Sequence, residues 1–275
     1  MSVYSPEWLE LREPADAAAR ARELPELLRG YLPHADLVIR DLGSGTGSLG
    51  RWLAGRLPGA QRWILHDHDP DLLARARTSL PRTSLDGSPV TVVTEQRDIT
   101  GLRAADLNGT SLVTASALLD LLTEEEVAAL AAAVVGAGCA ALLSLSVAGR
   151  VELSPPDPLD SEITAAFNAH QRRISGVRRL LGPAAPDVAA TAFQRLGARV
   201  YRATSDWRLG PDDEKLLGEW LTGWVEAATE QQPDLRPAAD VYLQRRLEMA
   251  SAGELSAVVH HSDLLVLPAA QEVAA

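Results

Sequence analysis

Short apolar runs alternate with helix-period segments from Leu37 onward, and this alternation constrains the fold more than any other feature of the chain. Such alternation is typical of a parallel sheet whose strands are joined by crossover helices. The pattern predicts strands at Leu37–Leu42, Arg62–Leu65, Val90–Thr94, Leu112–Ala115 and Ala140–Ser146. These five strand-helix units indicate an α/β chain with a doubly wound sheet.

Helix start and stop signals lie between the predicted strands. Asp69 and Pro70 predict an N-cap and a first helical residue. Thr123, followed three residues later by Glu126, predicts a capping box. Pro58 ends the helix that follows the first strand. These signals support the predicted crossover helices.

The flanking segments depart from the alternating pattern. Before Leu37 the sequence predicts one or two helices, with Pro14 opening an alanine-rich run to about Tyr31. After the fifth strand, Ser154–Pro158 predicts a rigid connection, and a helical stretch is expected around Ile163–Leu181. Further along the chain the pattern predicts a helix at about Asp187–Leu196, a strand at Arg199–Ala203, two helices between Asp212 and Met249, and a strand at Ser256–Leu267.

This organisation predicts four segments. They are an N-terminal helical cap (1–36), a ligand-binding core (37–150), a helical insertion that acts as a lid (151–182), and a C-terminal part of the sheet with inserted helices (183–275).

Charge and composition narrow the classes of partner. The formal net charge is -11, and Lys215 is the one lysine among 26 basic residues, so a broad basic face for nucleic acid is not expected. Cys139 has no second cysteine to pair with, and the charged start of the chain does not resemble a secretory leader, which together favour the cytoplasm. The uncharged stretch Val127–Gly149 is long enough to cross a membrane, but Gly136-Ala-Gly138 divides it into helix-like and strand-like halves. We therefore expect no membrane contact. No metal is expected either.

A glycine-rich loop between the first strand and its helix carries the strongest chemical signal. It reads Asp41-Leu-Gly43-Ser44-Gly45-Thr46-Gly47-Ser-Leu-Gly50. Glycines there allow a sharp turn and close approach of a ligand to backbone N–H groups. Read from Gly45, the same letters also satisfy the dinucleotide pattern G-x-G-x-x-G. Asp41 argues against that alternative, because a carboxylate at the mouth of the strand repels a pyrophosphate but attracts an ammonium or sulfonium group.

Acidic residues also follow the next two strands. Asp67 ends the second strand and Asp98 follows the third. Adjacent parallel strands bring their carboxyl ends to one edge of a sheet, so Asp41, Asp67 and Asp98 are expected to line one crevice. Carboxylates there can accept hydrogen bonds from hydroxyl and amino groups.

The loop and these acids resemble the class I S-adenosylmethionine-dependent methyltransferases over roughly Leu37–Ser146. The resemblance implies a Rossmann-like, mostly parallel seven-stranded sheet with a C-terminal antiparallel strand, N-terminal helices and a helical insertion after strand five. It implies S-adenosyl-L-methionine as cofactor, held by the loop, by Asp67 at the ribose, and by Asp98 with Ile99 at the adenine. His68 either flanks the adenine or faces solvent in a turn.

The acceptor side of the site carries weaker signals. The sequence lacks the Asn/Asp-Pro-Pro-aromatic motif and the Pro-Cys nucleophile of nucleic-acid methyltransferases, which favours a small-molecule acceptor methylated at O or N. His170 and Asp120 are the candidate bases, against the alternatives of a surface histidine and a structural loop residue. Arginines at positions 172, 173, 178 and 179 attract an anionic substrate or form a solvated face.

Two other classes of function stay open at this point. One is an NAD(P)-dependent oxidoreductase, which is favoured by the Gly45-x-Gly47-x-x-Gly50 pattern alone. The other is a non-catalytic ligand-binding protein of the same fold. The sequence does not indicate an oligomeric state.

Overall fold

The computed structural model describes residues 5–33 and 36–269 of the 275-residue chain. Residues 1–4, 34–35 and 270–275, which fall in the predicted cap and C-terminal segments, lie outside the described residues.

A mixed β-sheet forms the centre of the molecule, and a separate two-stranded hairpin lies outside it. In chain order the strands are β1 (Leu37–Leu42), β2 (Gln61–Asp67), β3 (Val90–Gln96), β4 (Leu112–Ser116), β5 (Ala140–Ser154), the hairpin strands β6 (Ile174–Ser175) and β7 (Arg178–Arg179), β8 (Arg199–Thr204), β9 (Trp207–Leu209) and β10 (Ser256–Leu267). All five strands predicted from the alternating pattern are present, and β1 and β10 have the predicted bounds.

The order of strands in the sheet is β3-β2-β1-β4-β5-β10-β8. The first five strands are parallel, and β10 runs antiparallel between β5 and β8. The predicted fold class, a doubly wound and mostly parallel seven-stranded sheet with a C-terminal antiparallel strand, is confirmed. One short strand of this sheet was not predicted, β9, which pairs with β10 off the main path. The strand order reverses between β1 and β4, and this switch point is where doubly wound sheets form ligand crevices.

Helices cover both faces of the sheet and continue beyond its edge. They are α1 (Pro6–Ala19), α2 (Glu23–Tyr31), α3 (Ser48–Ala54), α4 (Pro70–Ala76), α5 (Glu124–Gly136), α6 (Asp160–Gln171), α7 (Ala185–Arg195), α8 (Glu214–Gln231) and α9 (Arg236–Ser251). Asp69 caps α4 by accepting from the Asp71 and Leu72 N–H groups, as predicted. The capping box of α5 is also confirmed, since Thr123 Oγ1 accepts from the Glu126 N–H and the Glu126 carboxylate accepts from the Thr123 N–H.

The start of the N-terminal helix was predicted wrongly. The chain is helical from Pro6, where the Ser5 side chain accepts a hydrogen bond from the Trp8 N–H, and Pro14 lies inside α1. The Ser5 cap and the proline at the first helical position are the stronger start signal. As a result α1 begins early enough to bring Trp8 and Arg12 to the functional site.

The helical insertion was also predicted with the wrong bounds. Helix α6 ends at Gln171, and the following residues form the β6–β7 hairpin instead of a helix that continues to Leu181. Gly176 at the hairpin turn has φ +64, a conformation that favours glycine. The arginines at 172, 173, 178 and 179 therefore lie at the helix end and on the hairpin.

Strand β5 continues eight residues beyond the predicted end at Ser146. This extension pairs with the first half of β10, while β9 covers the same part of β10 from the other side. Gly149, with φ +71, resembles a turn residue in the sequence, which is why the extension was missed. The extension carries Val147 and Val151 past the sheet edge to the functional site.

Three apolar clusters hold the fold together. One packs α2 and α3 on one sheet face, the second packs α5 and α7 on the other face, and the third joins α6, α8 and α9 to the extended β5–β10 region. The stretch Val127–Gly149 forms the end of α5 and the first part of β5, so it divides as predicted. Within the described residues, no helix is long and apolar enough to cross a membrane.

Candidate functional site

The glycine loop connects β1 to α3 at the switch point of the sheet. Gly43, Gly45 and Gly47 have φ values of +63, +52 and +86, a region that other residues adopt only with strain. The loop is fixed by hydrogen bonds from the Ser44 N–H to the His66 carbonyl (2.8 Å) and from the Gly47 N–H to the Ser44 carbonyl (2.8 Å). Gly50 has a different role, because a Cβ there would lie 2.9 Å from Leu80 Cδ2.

Asp67 supports the loop from the end of β2. Its carboxylate accepts from the Gly45 N–H (2.9 Å) and from the Asp69 N–H (3.0 Å), and the residue is buried. His68 lies beside it, largely exposed, with Nδ1 3.3 Å from Asp67 Oδ1. The structure thus brings Asp67 and His68 together with the glycine loop.

Asp41 ends β1 and is almost completely buried, at 1% exposure. Oδ1 accepts a hydrogen bond from Thr114 Oγ1 at 2.7 Å, whereas Oδ2 is buried without a hydrogen-bond partner. Burial raises the pKa of this carboxyl to about 7. Such a carboxylate is stabilised by any cation that comes to Oδ2.

Arg20 is a site residue that sequence reasoning missed. It follows α1 and is 2% exposed. Nη2 donates to Ser48 Oγ (3.1 Å) and Ser116 Oγ (3.3 Å), but Nε and Nη1 are buried without partners. Nothing in the sequence distinguishes this arginine from the other arginines. Its place in the site depends on how α1 docks against the sheet.

These groups line one cavity, here called the loop cavity. Its walls are the glycine loop, the ends of β2 and β4, and one face of α1; they include Arg12, Asp16, Arg20, Asp41, Gly43, Ser44, Gly45, Thr46, Asp67, His68 and Ser116. The Ser44 hydroxyl is also buried without a partner. The loop cavity therefore presents unpaired donors and an unpaired carboxylate oxygen to whatever binds there.

Asp98 and Ile99 do not line the loop cavity. Asp98 is exposed, and its carboxylate accepts from the Thr100 N–H (2.9 Å) and hydroxyl (2.8 Å), which caps a short turn. Ile99 packs against the apolar cluster of α5 and α7. The structure places Asp98 near the positive charges of Arg178 and His68, which help to lower its carboxyl pKa after the stronger effect of the Thr100 hydrogen bonds. Their part in adenine binding stays a prediction.

A second, larger cavity adjoins the first at Arg12 and Ala117; we call it the aromatic cavity. Its volume is about 380 Å³, against about 190 Å³ for the loop cavity. Its walls come from α1, α6, α8, β9 and the extended β5–β10 pair, and they include Trp8, Arg12, Ala117, Asp120, Leu145, Val151, Phe167, Gln171, Trp207, Glu219, Trp220, Trp224 and His261. The two cavities together form one continuous candidate active site.

Asp120, a predicted candidate base, lines the aromatic cavity. It is 8% exposed, and burial raises the pKa of its carboxyl to about 6. The charges of Arg12 and Arg173 act in the opposite direction but are weaker than the effect of burial. A carboxyl with this pKa can exchange a proton near neutral pH.

His170, the other predicted base, lies outside both cavities. It is in the last turn of α6, where its Nε2 is 3.2 Å from Glu230 Oε2 and its Nδ1 is 3.3 Å from the Arg173 guanidinium. The structure therefore does not bring His170 to the site, because its ring lies beside Glu230 of α8 instead.

His261 is the imidazole that lines the aromatic cavity, and no motif in the sequence marks it. It is 5% exposed, with Nδ1 2.9 Å from the Val259 carbonyl. The carbonyl requires Nδ1 to be the donor, so Nε2 carries the lone pair. Burial lowers the pKa of His261 to about 4, which keeps the ring neutral at pH 7. Across residues 5–33 and 36–269, no cluster of acidic, histidine or cysteine side chains is placed to bind a metal.

Two strained backbone positions border the aromatic cavity. Ala117 and Leu145 have φ values of +50 and +54, which is unusual for residues other than glycine. The Ala117 N–H donates to the Ser144 carbonyl (2.9 Å), and the Leu145 N–H donates to the Asp263 carboxylate (2.7 Å). Asp263 also accepts from the Ala21 N–H (3.1 Å), next to Arg20. This buried carboxylate links the strained strand to the end of α1.

The arginines of the insertion do not line either cavity. Arg178 forms an ion pair with Glu126, with Nη2 2.6 Å from Oε2, whereas Arg172, Arg173 and Arg179 are exposed. These arginines do not contact the site, so their predicted role in attracting an anionic substrate has no support from its geometry.

No family model and no curated protein matches this chain. Solved structures with a similar fold include a cyclopropane synthase from Mycobacterium tuberculosis (TM-score 0.49, 11% identity, covering 95% of this chain and 94% of that one). Others are a cyclopropane-fatty-acyl-phospholipid synthase-like protein from Lactobacillus casei (0.49, 16%, 94% and 100%) and a methyltransferase from Geobacter sulfurreducens in complex with S-adenosyl-L-homocysteine (0.43, 16%, 96% and 99%).

The strand order itself identifies the fold. With β10 antiparallel between β5 and β8, the sheet is that of the class I S-adenosylmethionine-dependent methyltransferases, as the resemblance in the sequence predicted.

Proposed function

We propose that this protein is an S-adenosylmethionine-dependent methyltransferase that methylates a small molecule at O or N. The observation that carries the proposal is that Arg20 and Asp41 both line the loop cavity. Each has buried polar atoms without a hydrogen-bond partner. A buried guanidinium and a buried carboxylate with free positions are complementary to an α-amino acid, which carries one charge of each sign.

The polar groups of the loop cavity correspond to those at the amino-acid end of this cofactor. The Arg20 guanidinium would hold the carboxylate, Asp41 Oδ2 would hold the ammonium group, and the Ser44 hydroxyl offers a third polar contact. Asp67, at the end of β2, would hold the ribose, His68 would flank the adenine, and Asp98 with Ile99 would hold the adenine. When bound, S-adenosylmethionine supplies a methyl group on a positively charged sulfur.

The chain's own contribution is to position an acceptor and to exclude water. The aromatic cavity meets the loop cavity at Ala117, so a molecule in the aromatic cavity lies next to the cofactor site. Its apolar walls favour removal of water from the reacting groups. Asp120 lines the aromatic cavity and would take a hydrogen bond or a proton from the bound acceptor. His170 lies outside the cavity.

The oxidoreductase alternative has less support from the loop cavity. Carboxylates of Asp16, Asp41 and Asp67 line it, and they would repel the pyrophosphate of a nicotinamide cofactor. Calorimetric titration of S-adenosylhomocysteine and NADH tests the choice directly. We expect the first to bind and the second not to bind.

The matched variants are Arg20→Gln and Arg22→Gln. Arg20 is in the cavity wall, whereas Arg22, two residues on, is exposed. Loss of a buried charged hydrogen-bond partner should weaken S-adenosylhomocysteine binding on the order of 100-fold in Arg20→Gln. Binding should be unchanged in Arg22→Gln. Tight NADH binding, or full S-adenosylhomocysteine affinity in Arg20→Gln, would overturn the proposal.

A further inference from the structure

The aromatic cavity holds most of the tryptophans of a chain that is poor in aromatic residues. Aromatic residues make up 4% of the sequence, yet four of its six tryptophans and one of its two phenylalanines line this cavity. They come from four separate elements, because Trp8 is on α1, Phe167 on α6, Trp207 on β9, and Trp220 and Trp224 on α8. The fold therefore gathers rings from distant parts of the chain around one space.

These rings are arranged as walls and not as one stack. Trp220 and Trp224 stack with centroids 5.2 Å apart, while Trp8 and Trp207 meet at 59° with centroids 6.5 Å apart. Tryptophan faces carry negative charge density and attract cations, and several such faces around a cavity bind organic ammonium groups.

Charged side chains add to this negative character. Asp120 and Glu219 line the cavity. Arg12 is the one cationic side chain among its described lining residues, and its guanidinium pairs with Asp16, with Nε 3.0 Å from Oδ2. Arg12 also lies over the Trp207 ring, 5.0 Å from its centroid, and its charge acts on Asp120 as well. Within the described residues neither Asp120 nor Glu219 forms an ion pair, so two carboxylates of the wall can meet a cation on a ligand.

Two further acceptor atoms lie in the wall. Gln171 Oε1 is buried without a partner, and His261 Nε2 carries a lone pair because Nδ1 faces the Val259 carbonyl. Among the described residues of this wall, the one buried donor without a partner is Trp224 Nε1, which would suit an oxygen atom on the same ligand. Acceptors that lack partners match the N–H groups of an amine.

We infer that the aromatic cavity binds an organic amine in its ammonium form, with the charge held between Asp120 and the tryptophan faces. That this amine is the methyl acceptor, and hence that nitrogen is the methylated atom, rests on the function proposed above. The ammonium group would first give a proton to the Asp120 carboxylate, and the free nitrogen lone pair would then bond to the methyl carbon as the carbon–sulfur bond breaks and S-adenosylhomocysteine leaves. An anionic acceptor does not match the two carboxylates of the wall.

The test compares choline with its neutral isostere, in which a tert-butyl group replaces the trimethylammonium group. Binding to the full chain is followed by tryptophan fluorescence and calorimetry, without any S-adenosyl compound. We expect choline to bind at least about tenfold more tightly than the isostere, because only choline carries a charge. Choline has no N–H group, so this comparison tests recognition of the charge and not the acceptors Gln171 and His261. Equal affinity, tighter binding of the isostere, or no choline binding would overturn the inference.

Variants locate the probe within the cavity. Asp120→Asn should remove most of the preference for choline, and Trp220→Leu, at a half-exposed position, should weaken choline binding several-fold. Glu226→Gln is the matched control, since Glu226 is on α8 like Glu219 but is exposed outside the cavity wall. Choline binding that survives both cavity variants would place the probe elsewhere and overturn the inference.

The result of the choline experiment does not depend on whether the protein binds an S-adenosyl compound. Choline binding without S-adenosylhomocysteine binding would keep the ammonium site and reject the methyltransferase proposal. S-adenosylhomocysteine binding without a preference for choline would do the reverse.

Discussion

The two cavities are built by different means, although they share Arg12 and Ala117. The charged and hydroxyl groups of the loop cavity come largely from the glycine loop and the carboxyl ends of neighbouring strands, and α1 closes one side. The aromatic cavity is formed by side chains that lie more than two hundred residues apart, from Trp8 to His261. The comparison shows that local sequence motifs encode the loop cavity, whereas the aromatic cavity depends on how distant elements pack.

The largest expected effect is on the stability of the ligand-free protein, and it tests the loop cavity alone, through Asp41. Asp41 has a folded pKa of about 7 against an ordinary value of 3.8, so the folded state holds this proton more strongly than the unfolded state. Stability is therefore lost as the pH rises from about 4 to about 7, by at most about 1.4 kcal/mol per pH unit, and is constant above that window. Asp41→Asn should not show this loss.

Chemical denaturation of the ligand-free protein at several pH values measures the difference. Asp41→Asn should gain stability over the wild type as the pH rises through the window, by about 4 kcal/mol at most. Asp263, whose pKa burial also raises, is present in both proteins and cancels. A difference that does not change with pH would show that Asp41 is not buried as a carboxylate.

The next effect concerns cofactor affinity alone. Asp67→Ala removes the acceptor for the Gly45 N–H and the proposed acceptor for the ribose hydroxyls, which should cost about 1–3 kcal/mol in S-adenosylhomocysteine binding. Choline binding in the aromatic cavity should not change. Asp71→Ala, exposed in the first turn of α4, is the control and should leave both affinities unchanged. Unchanged S-adenosylhomocysteine affinity in Asp67→Ala would remove this residue from the site.

A smaller effect should appear in the pH dependence of the aromatic cavity. The Asp120 carboxyl has a pKa of about 6, so it loses its charge as the pH falls below that value. Arg12 and Arg173 face it, and His261, with a pKa of about 4, stays neutral at pH 5. Choline affinity should fall by up to about tenfold between pH 8 and pH 5. In Asp120→Asn the affinity should be flat over this range, and a parallel fall there would assign the pH effect to another group.

The smallest expected effect is a change in hydrogen exchange across the predicted lid. Asp160, at the start of α6, is held by the buried Arg246 (Nη2 to Oδ1, 2.8 Å) and by the Tyr242 hydroxyl (2.6 Å). The β6–β7 hairpin is exposed, with Val177 at 100% exposure. We expect slow exchange in α6 with or without ligand, and slower exchange in the hairpin when S-adenosylhomocysteine and an amine are both bound. A hairpin that does not respond to ligand would reject the lid.

The sheet and the loop cavity could be predicted because their signals are local. The strand and helix periods gave the order of elements, and the glycines at 43, 45 and 47 are required by the backbone of the turn itself. Asp41 and Asp67 followed from the rule that parallel strands end at one edge. Asp98 shows the limit of that rule, since its side chain caps its own turn and does not enter the cavity.

The rest of the site could not be predicted because it depends on contacts between distant segments. Arg20 meets Ser48 and Ser116, which are 28 and 96 residues away, and no pattern in the sequence marks it. Strand β9 has three residues, too few for a period of two to show. The extension of β5 was hidden by Gly149. His170 was chosen by its place in the insertion, but its side of α6 depends on packing against α8.

A crystal structure with S-adenosylhomocysteine bound tests the central claim most directly, because that claim joins the two cavities into one site. We predict that the amino-acid end of the ligand contacts Arg20 and Asp41, that the ribose contacts Asp67, and that the sulfur faces the opening beside Ala117 toward the aromatic cavity. A ligand whose sulfur faces away from that opening, or one bound outside the loop cavity, would contradict the account.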